Sequence, residues 1–131
     1  KGYTEIKREQ KFDDSRFDVM ARNEEEICFV EVKNVTMKEG DFALFPDAKT
    51  ERGRKHLETL IKVKQQGMRA VMFYVIQRQD VSKFGPAQEI DPAYAESLKK
   101  AVDAGVEVIA MMAKVTPEGI KLVKELPFEI E

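Results

Sequence analysis

The chain has 131 residues, of which 43% are hydrophobic and 35% charged, and its formal net charge is -2. That length supports one hydrophobic core and excludes two domains of ordinary size, so we predict a single domain over residues 1–131. The apolar content excludes intrinsic disorder, the absence of heptads excludes a coiled coil, and the net charge argues against a uniformly basic nucleic-acid binder.

Cysteine content and hydropathy bear on the compartment. The single cysteine, Cys28, cannot form an internal disulfide, and a reducing compartment is the simplest interpretation. The longest apolar run, residues 70–76, is far shorter than a membrane span, and the first residues lack a signal-peptide pattern. We therefore expect a cytoplasmic protein without a membrane partner.

The first part of the chain predicts three antiparallel strands. Residues 3–11 and 15–22 flank Asp13 and Asp14, a pair that favours a turn, so they predict a hairpin. Residues 27–35 are rich in β-branched and aromatic side chains, which is typical of a strand.

The middle of the chain predicts a loop, a helix and a central strand. Residues 37–49 contain glycine and proline without a sustained period, so we predict a loop that either moves or becomes ordered on binding. Asp47 or Thr50 caps the helix that follows, and Gly67 ends it. Residues 69–77 are nearly all apolar, as in a strand covered on both faces.

The last part predicts a second helix and two strands. After a loop over residues 82–92, Asp91 caps a helix that runs to Ala104. Residues 106–115 predict a strand, and residues 120–123 predict an edge strand. The order of elements predicts a mixed α/β sheet with helices on its faces.

Turn lengths predict which residues of the first three strands stand opposite each other. A two-residue turn at 13–14 places Glu9 opposite Asp18, and a second turn at 24–25 places Asp18 opposite Glu31. Opposed carboxylates destabilise a sheet unless something positive lies between them. Carboxylate oxygens suit a hard divalent cation, so the row predicts a site for Mg²⁺ or Mn²⁺.

The same register predicts two chemically different faces. Lys33 lies beside Glu31 and opposite Arg16 on the carboxylate face. The other face is apolar and is the predicted core face; its members are Phe17, Val19, Cys28, Val30 and Val32. The alternative is that Lys33 and Arg16 neutralise the carboxylates in a surface ion-pair ladder that binds nothing.

A basic segment lies in the middle of the chain. Residues 49–69 contain seven lysines or arginines and two glutamates, a net charge of +5. Arg52, Arg54 and Lys55 fall near the predicted start of the helix, where an anion is favoured, and are candidates for phosphate contacts. The common alternative is the solvated face of an amphipathic helix. Arg16, on the second predicted strand, is a further candidate for binding nucleic acid.

The single histidine, His56, lies four residues after Arg52, so both could point toward one face of the helix. It is a candidate for contact with a nucleic-acid phosphate or for acid catalysis. The alternative that we prefer is a histidine that packs the helix or lies on the surface.

Several motifs occur together along the chain: Ser-Arg-Phe-Asp at 15–18, Phe-Val-Glu-Val-Lys-Asn-Val-Thr at 29–36, Phe-Pro-Asp-Ala at 45–48, Thr-Glu-Arg-Gly at 50–53, Lys-His-Leu at 55–57 and Thr-Pro-Glu-Gly-Ile at 116–120. With residues 75–80 and 84–92, they resemble the sugar fermentation stimulation protein A family, in its C-terminal restriction-endonuclease-like domain. The resemblance covers essentially the whole chain.

The resemblance implies a restriction-endonuclease-like mixed β-sheet flanked by helices, in three α/β/α layers. Members of that superfamily carry an acidic residue on one strand and Asp or Glu, any residue, Lys on the next. Asp18, Glu31 and Lys33 match this pattern. By the superfamily's mechanism the two carboxylates hold the metal, and the lysine positions or deprotonates the nucleophile. Glu9, the weakest member of the row predicted from the register, is a further candidate ligand.

The resemblance also implies DNA binding, and it leaves two functions open. One is a metal-dependent DNA endonuclease; the other is a non-catalytic transcriptional regulator of sugar metabolism, including maltose, that keeps the nuclease-like fold. Family members carry an OB-like domain in front and a first core helix, both expected to lie outside this chain. The sequence also leaves open whether the protein forms a homodimer.

Overall fold

The computed structural model describes residues 3–12 and 15–129, and of residues 10–12, 15 and 16 it describes the backbone alone. Its strands are β1 (Glu5–Phe12), β2 (Ser15–Arg22), β3 (Ile27–Val35), β4 (Met37–Glu39), β5 (Phe42–Phe45), β6 (Arg69–Ile76), β7 (Lys83–Pro86), β8 (Glu107–Thr116) and β9 (Gly119–Leu126). Its helices are α1 (Glu51–Gln65) and α2 (Pro92–Asp103).

A six-stranded mixed sheet organises the fold, in the order β1-β2-β3-β6-β8-β9. The pairs β1–β2, β2–β3 and β8–β9 are antiparallel, whereas β3–β6 and β6–β8 are parallel. Parallel neighbours need a crossover connection, and α1 and α2 lie in the two crossovers. The predicted mixed α/β architecture with flanking helices is confirmed.

A second, three-stranded sheet has the order β4-β5-β7. Its strands lie within residues 37–49 and 82–92, which the sequence predicts as loops, so that prediction is wrong in part. The strands have only three or four residues each. Segments that short carry no readable alternation, and the parallel β5–β7 pair depends on a contact between distant parts of the chain.

Both helices begin at side-chain caps. The Oγ1 of Thr50 accepts a 2.9 Å hydrogen bond from the backbone N–H of Gly53, so Thr50, one of the two predicted caps, starts α1. Asp91 caps α2 as predicted, since its Oδ1 accepts from the N–H of Tyr94 at 3.0 Å. After α1 the chain turns at Gly67, whose φ of 88° suits glycine.

The predicted register of the first three strands is confirmed along most of its length. Phe12 pairs with Ser15, and the N–H of Asn23 donates to the carbonyl of Glu26 at 3.1 Å. The β2–β3 ladder then runs from the pair Arg22–Ile27 to the pair Val19–Val30.

The core lies between the six-stranded sheet and the two helices. Both helices and one face of β6 contribute to a single buried cluster that includes Leu57, Leu60, Met72, Tyr74, Tyr94 and Leu98. Among the described residues, α1 and α2 thus form one layer of helices, which packs on that face of the six-stranded sheet. None of the described helices is long and apolar enough to cross a membrane.

The assignment of the core face in β2 and β3 needs a correction. Phe17 and Phe29, which strict alternation places on opposite faces, contact each other with ring centroids 5.6 Å apart, and both belong to the core cluster. Val30 and Val32 are only half-buried. The face that holds Phe29 and Glu31 is therefore the one covered by α1. Alternation fails at Phe17 because the β2–β3 ladder stops at Val19.

Candidate metal and nucleic-acid site

The site is built around Glu31, which lies near the middle of β3 with 4% of its surface exposed. Its Oε2 lies 3.2 Å from the Nζ of Lys33 and 2.7 Å from the Nδ1 of His56. The histidine contact is close but lacks the alignment of a hydrogen bond. The other carboxylate oxygen, Oε1, is buried and has no hydrogen-bond partner.

Two neighbouring side chains determine how Glu31 ionises. Burial acts to raise the pKa of this carboxyl, but the contacts with His56 and Lys33 together outweigh burial and lower its pKa below the ordinary value. Glu31 is therefore a carboxylate at neutral pH. A buried carboxylate oxygen without a partner is costly, so Oε1 is a natural point of attachment for a cation.

Asp18 lies just beyond the end of the β2–β3 ladder, where its side chain reaches β3. Its carboxylate accepts a 2.8 Å hydrogen bond from the backbone N–H of Val32, the residue that follows Glu31. The side chain of Asp18 is half-buried. The structure thus brings the first predicted carboxylate onto the strand that carries the second.

Glu9, the third predicted carboxylate, is exposed and has a positive φ of 56°. Within residues 3–12 and 15–129, no three His, Cys, Asp or Glu side chains form a group that could hold a metal ion. A cation at Glu31 would therefore have fewer than three such protein ligands among the described residues, and water or substrate oxygens would complete the coordination.

Lys33 lies where the sequence predicts it, two positions after Glu31 on β3, and 17% of its side chain is exposed. Its amine is already in contact with the carboxylate. Arg16, the residue predicted to face Lys33, has its side chain outside the described part of the structure.

The first turns of α1 carry the predicted phosphate-binding residues. Arg52 and Lys55 are exposed, whereas Arg54 is half-buried. His56 is not on the same side as Arg52, because it is buried with 5% of its surface exposed. Its ring centroid lies 5.9 Å from that of Phe17. The preferred alternative, a histidine that packs the helix, therefore describes its position.

The contact between His56 and Glu31 is the feature that sequence reasoning missed. The spacing holds a signal for it, because His56 belongs to the buried stripe of α1 that also contains Gly53, Leu57, Leu60 and Val63. That stripe packs on the face of β3 that carries Glu31. The spacing i, i+4 and i+7 predicts the buried stripe from the sequence alone. That Glu31 is the residue beneath it is known only from the tertiary structure.

A family model described as the sugar fermentation stimulation protein RE domain matches residues 1–119. The chain belongs to the sugar fermentation stimulation protein family. It is 51% identical over 127 residues to the sugar fermentation stimulation protein homolog of Geobacter sulfurreducens, covering 96% of this chain and 54% of that protein. The homolog of Caldanaerobacter subterraneus is 46% identical over 122 residues, covering 93% and 53%.

A solved structure of the same family agrees with the fold. Pyrococcus furiosus SfsA, determined in complex with Ca²⁺, superposes with a TM-score of 0.87 at 37% identity and covers 94% of this chain and 54% of that one. The likeness confirms the restriction-endonuclease-like fold. The chain spans about half the length of these sugar fermentation stimulation relatives.

Proposed function

We propose that this chain is a DNA-binding, nuclease-like domain whose Asp18 and Glu31 hold a divalent cation for phosphodiester cleavage. One observation carries the proposal: Oε1 of Glu31 is buried without a partner, while Oε2 contacts both Lys33 and His56. A buried anionic oxygen left unpaired is unfavourable unless a ligand satisfies it.

The donor set favours a hard cation such as Mg²⁺ or Mn²⁺. Asp18 and Glu31 offer only oxygen atoms, and a site with two carboxylates leaves several positions for water and phosphate oxygens. The relative solved in complex with Ca²⁺ supports a cation of this class. When bound, such a cation polarises a phosphate and acidifies a water molecule.

The chain's own residues supply binding and orientation. The amine of Lys33, held 3.2 Å from Glu31, is placed to orient a water molecule or a phosphate oxygen beside the carboxylates. Arg52 and Lys55 are exposed on the first two turns of α1 and would contact DNA phosphates by charge. Glu9 has no necessary part in this proposal.

The second candidate is a non-catalytic DNA-binding regulator of sugar metabolism. Two observations favour it: the described residues hold no group of three metal-binding side chains, and Lys33 is already engaged by Glu31. In this reading the carboxylates and Lys33 form a structural ion-pair cluster, and α1 alone binds the phosphate backbone.

Nicking of supercoiled plasmid in Mg²⁺ or Mn²⁺ distinguishes the two functions. The nuclease proposal requires nicking that Asp18→Asn, Glu31→Gln and Lys33→Met each reduce by at least about 100-fold. Glu118→Gln, an exposed carboxylate in the β8–β9 turn, is the matched control and should nick as the wild type does. Intact plasmid with retained binding to labelled duplex would support the regulator and rule out the nuclease.

A further inference from the structure

His56 is held firmly between the sheet and α1. It lies in the buried stripe of α1, and its ring packs beside Phe17 with centroids 5.9 Å apart. With 5% of its surface exposed, it is poorly placed to contact a DNA phosphate. Its Nδ1 lies 2.7 Å from the carboxylate of Glu31. A role for this side chain must therefore act through Glu31.

The contacts of Glu31 are distributed unequally between its two oxygens. The Nδ1 of His56 and the Nζ of Lys33 approach the same oxygen, Oε2, at 2.7 and 3.2 Å. The other oxygen, Oε1, is left without a partner. A carboxylate rotates readily about its last torsion, because the preference there is broad and two-fold. Two nitrogen atoms close to one oxygen oppose that rotation and determine which oxygen remains available.

We infer that His56 is a positioning residue, which holds Oε2 of Glu31 so that Oε1 stays oriented toward the divalent cation. The inference rests on the proposed cation site and adds a residue to it. The histidine suits this task because α1, which carries it, is anchored at its start by the Thr50 cap. Partners that orient a metal-binding carboxylate in this way typically change metal affinity by about 10- to 100-fold.

Calorimetric titration of the protein with Mn²⁺ tests the inference through two contrasting substitutions. His56→Asn keeps a polar amide group near the position of Nδ1 but loses ring volume, whereas His56→Leu keeps apolar volume and loses the nitrogen that contacts Glu31. If His56 positions Glu31, His56→Leu weakens Mn²⁺ binding about 10-fold or more, and His56→Asn retains affinity within about three-fold. A role in packing alone predicts that His56→Leu is thermally more stable than His56→Asn and that neither substitution changes the affinity for Mn²⁺.

Two further variants separate this inference from the proposed function. Glu31→Gln should abolish binding of Mn²⁺ if the site exists, and Glu118→Gln should leave binding unchanged. Loss of binding in Glu31→Gln with normal binding in His56→Leu would overturn the role of His56 while keeping the site. Equal weakening in His56→Asn and His56→Leu would also overturn it. A wild-type protein that takes up no Mn²⁺ would overturn both.

Discussion

The carboxylate of Asp18 accepts a hydrogen bond from the backbone N–H of Val32 at 2.8 Å. The last backbone pair of the β2–β3 ladder at this end is Val19 with Val30, and Asp18 is the next residue beyond it. The side chain of Asp18 therefore provides a hydrogen-bond acceptor for β3 where the backbone ladder has ended. Asp18 therefore has two roles, one in closing the sheet and one in the proposed cation site, and substitutions can separate them.

Asp18→Ala should destabilise the fold by about 1.5 kcal/mol, since it removes a hydrogen bond to a charged acceptor and leaves the N–H of Val32 unpaired. Asp18→Asn keeps an amide oxygen as acceptor and should cost less than about 1 kcal/mol. Urea unfolding measures both values. Both variants should lose Mn²⁺ affinity alike, because both lack the negative charge. Equal stability of the two variants would contradict the first role.

Asp91 joins the starts of both helices. Its Oδ1 accepts from the N–H of Tyr94 at 3.0 Å and its Oδ2 accepts from the N–H of Thr50 at 2.9 Å. Asp91→Ala removes both acceptors and should destabilise the protein by about 2 to 3 kcal/mol. Asp91→Asn keeps one carbonyl acceptor and should lie between Asp91→Ala and the wild type in urea unfolding.

The same residue predicts how stability depends on pH. Burial acts to raise the pKa of Asp91, but the hydrogen bonds from Thr50 and Tyr94 and the charges of Arg54 and Lys49 lower it below the ordinary value. A lowered pKa means that the stabilisation is complete above the unfolded value of about 4 and is lost as the pH falls through the folded value. The Asp91→Asn variant should therefore show a flatter loss of stability between about pH 5 and pH 2.

Salt dependence tests the proposed DNA surface of α1. Arg52→Gln and Lys55→Gln should each reduce the slope of log affinity against log salt by about 0.9 if the residue contacts one phosphate of duplex DNA. Lys99→Gln, an exposed lysine on α2, serves as the control and should leave the slope unchanged. Fluorescence anisotropy at several salt concentrations measures the slopes, and identical slopes in all three variants would place the DNA elsewhere.

A buried pair of tyrosines connects α2 to the sheet by a hydrogen bond. The hydroxyls of Tyr74 on β6 and Tyr94 on α2 lie 2.6 Å apart, and both residues are fully buried. Tyr74→Phe and Tyr94→Phe should each lower the free energy of unfolding by about 1 to 2 kcal/mol, because each leaves the remaining buried hydroxyl without its partner. The double variant should lose little more stability than either single variant. Additive losses in a double-mutant cycle would contradict the pairing.

The sequence alone determined the elements with strong local signals. The Asp91 cap with Pro92 behind it and the apolar run of β6 each depend on neighbouring residues, and the structure agrees with both. The predicted turn at 13–14 lies outside the described residues. The register of β1 against β2 followed from the length of one turn, because a two-residue turn leaves a single way for the strands to pair. The same reasoning predicted that Asp18 lies opposite Glu31; the β2–β3 ladder ends at the pair Val19–Val30, and Asp18 reaches β3 through the N–H of Val32 instead.

Only the tertiary structure decided which face of β3 is covered and what Glu31 contacts. β3 and β6 lie inside the sheet and carry apolar residues on both faces, so alternation does not reveal the side on which a helix packs. His56 and Glu31 are 25 positions apart in the sequence, and nothing local requires them to meet. The short strands β4, β5 and β7 depend on equally distant pairing. Contacts of this kind depend on how α1 is laid against the sheet, which is determined by the packing of the whole core and not by any single segment.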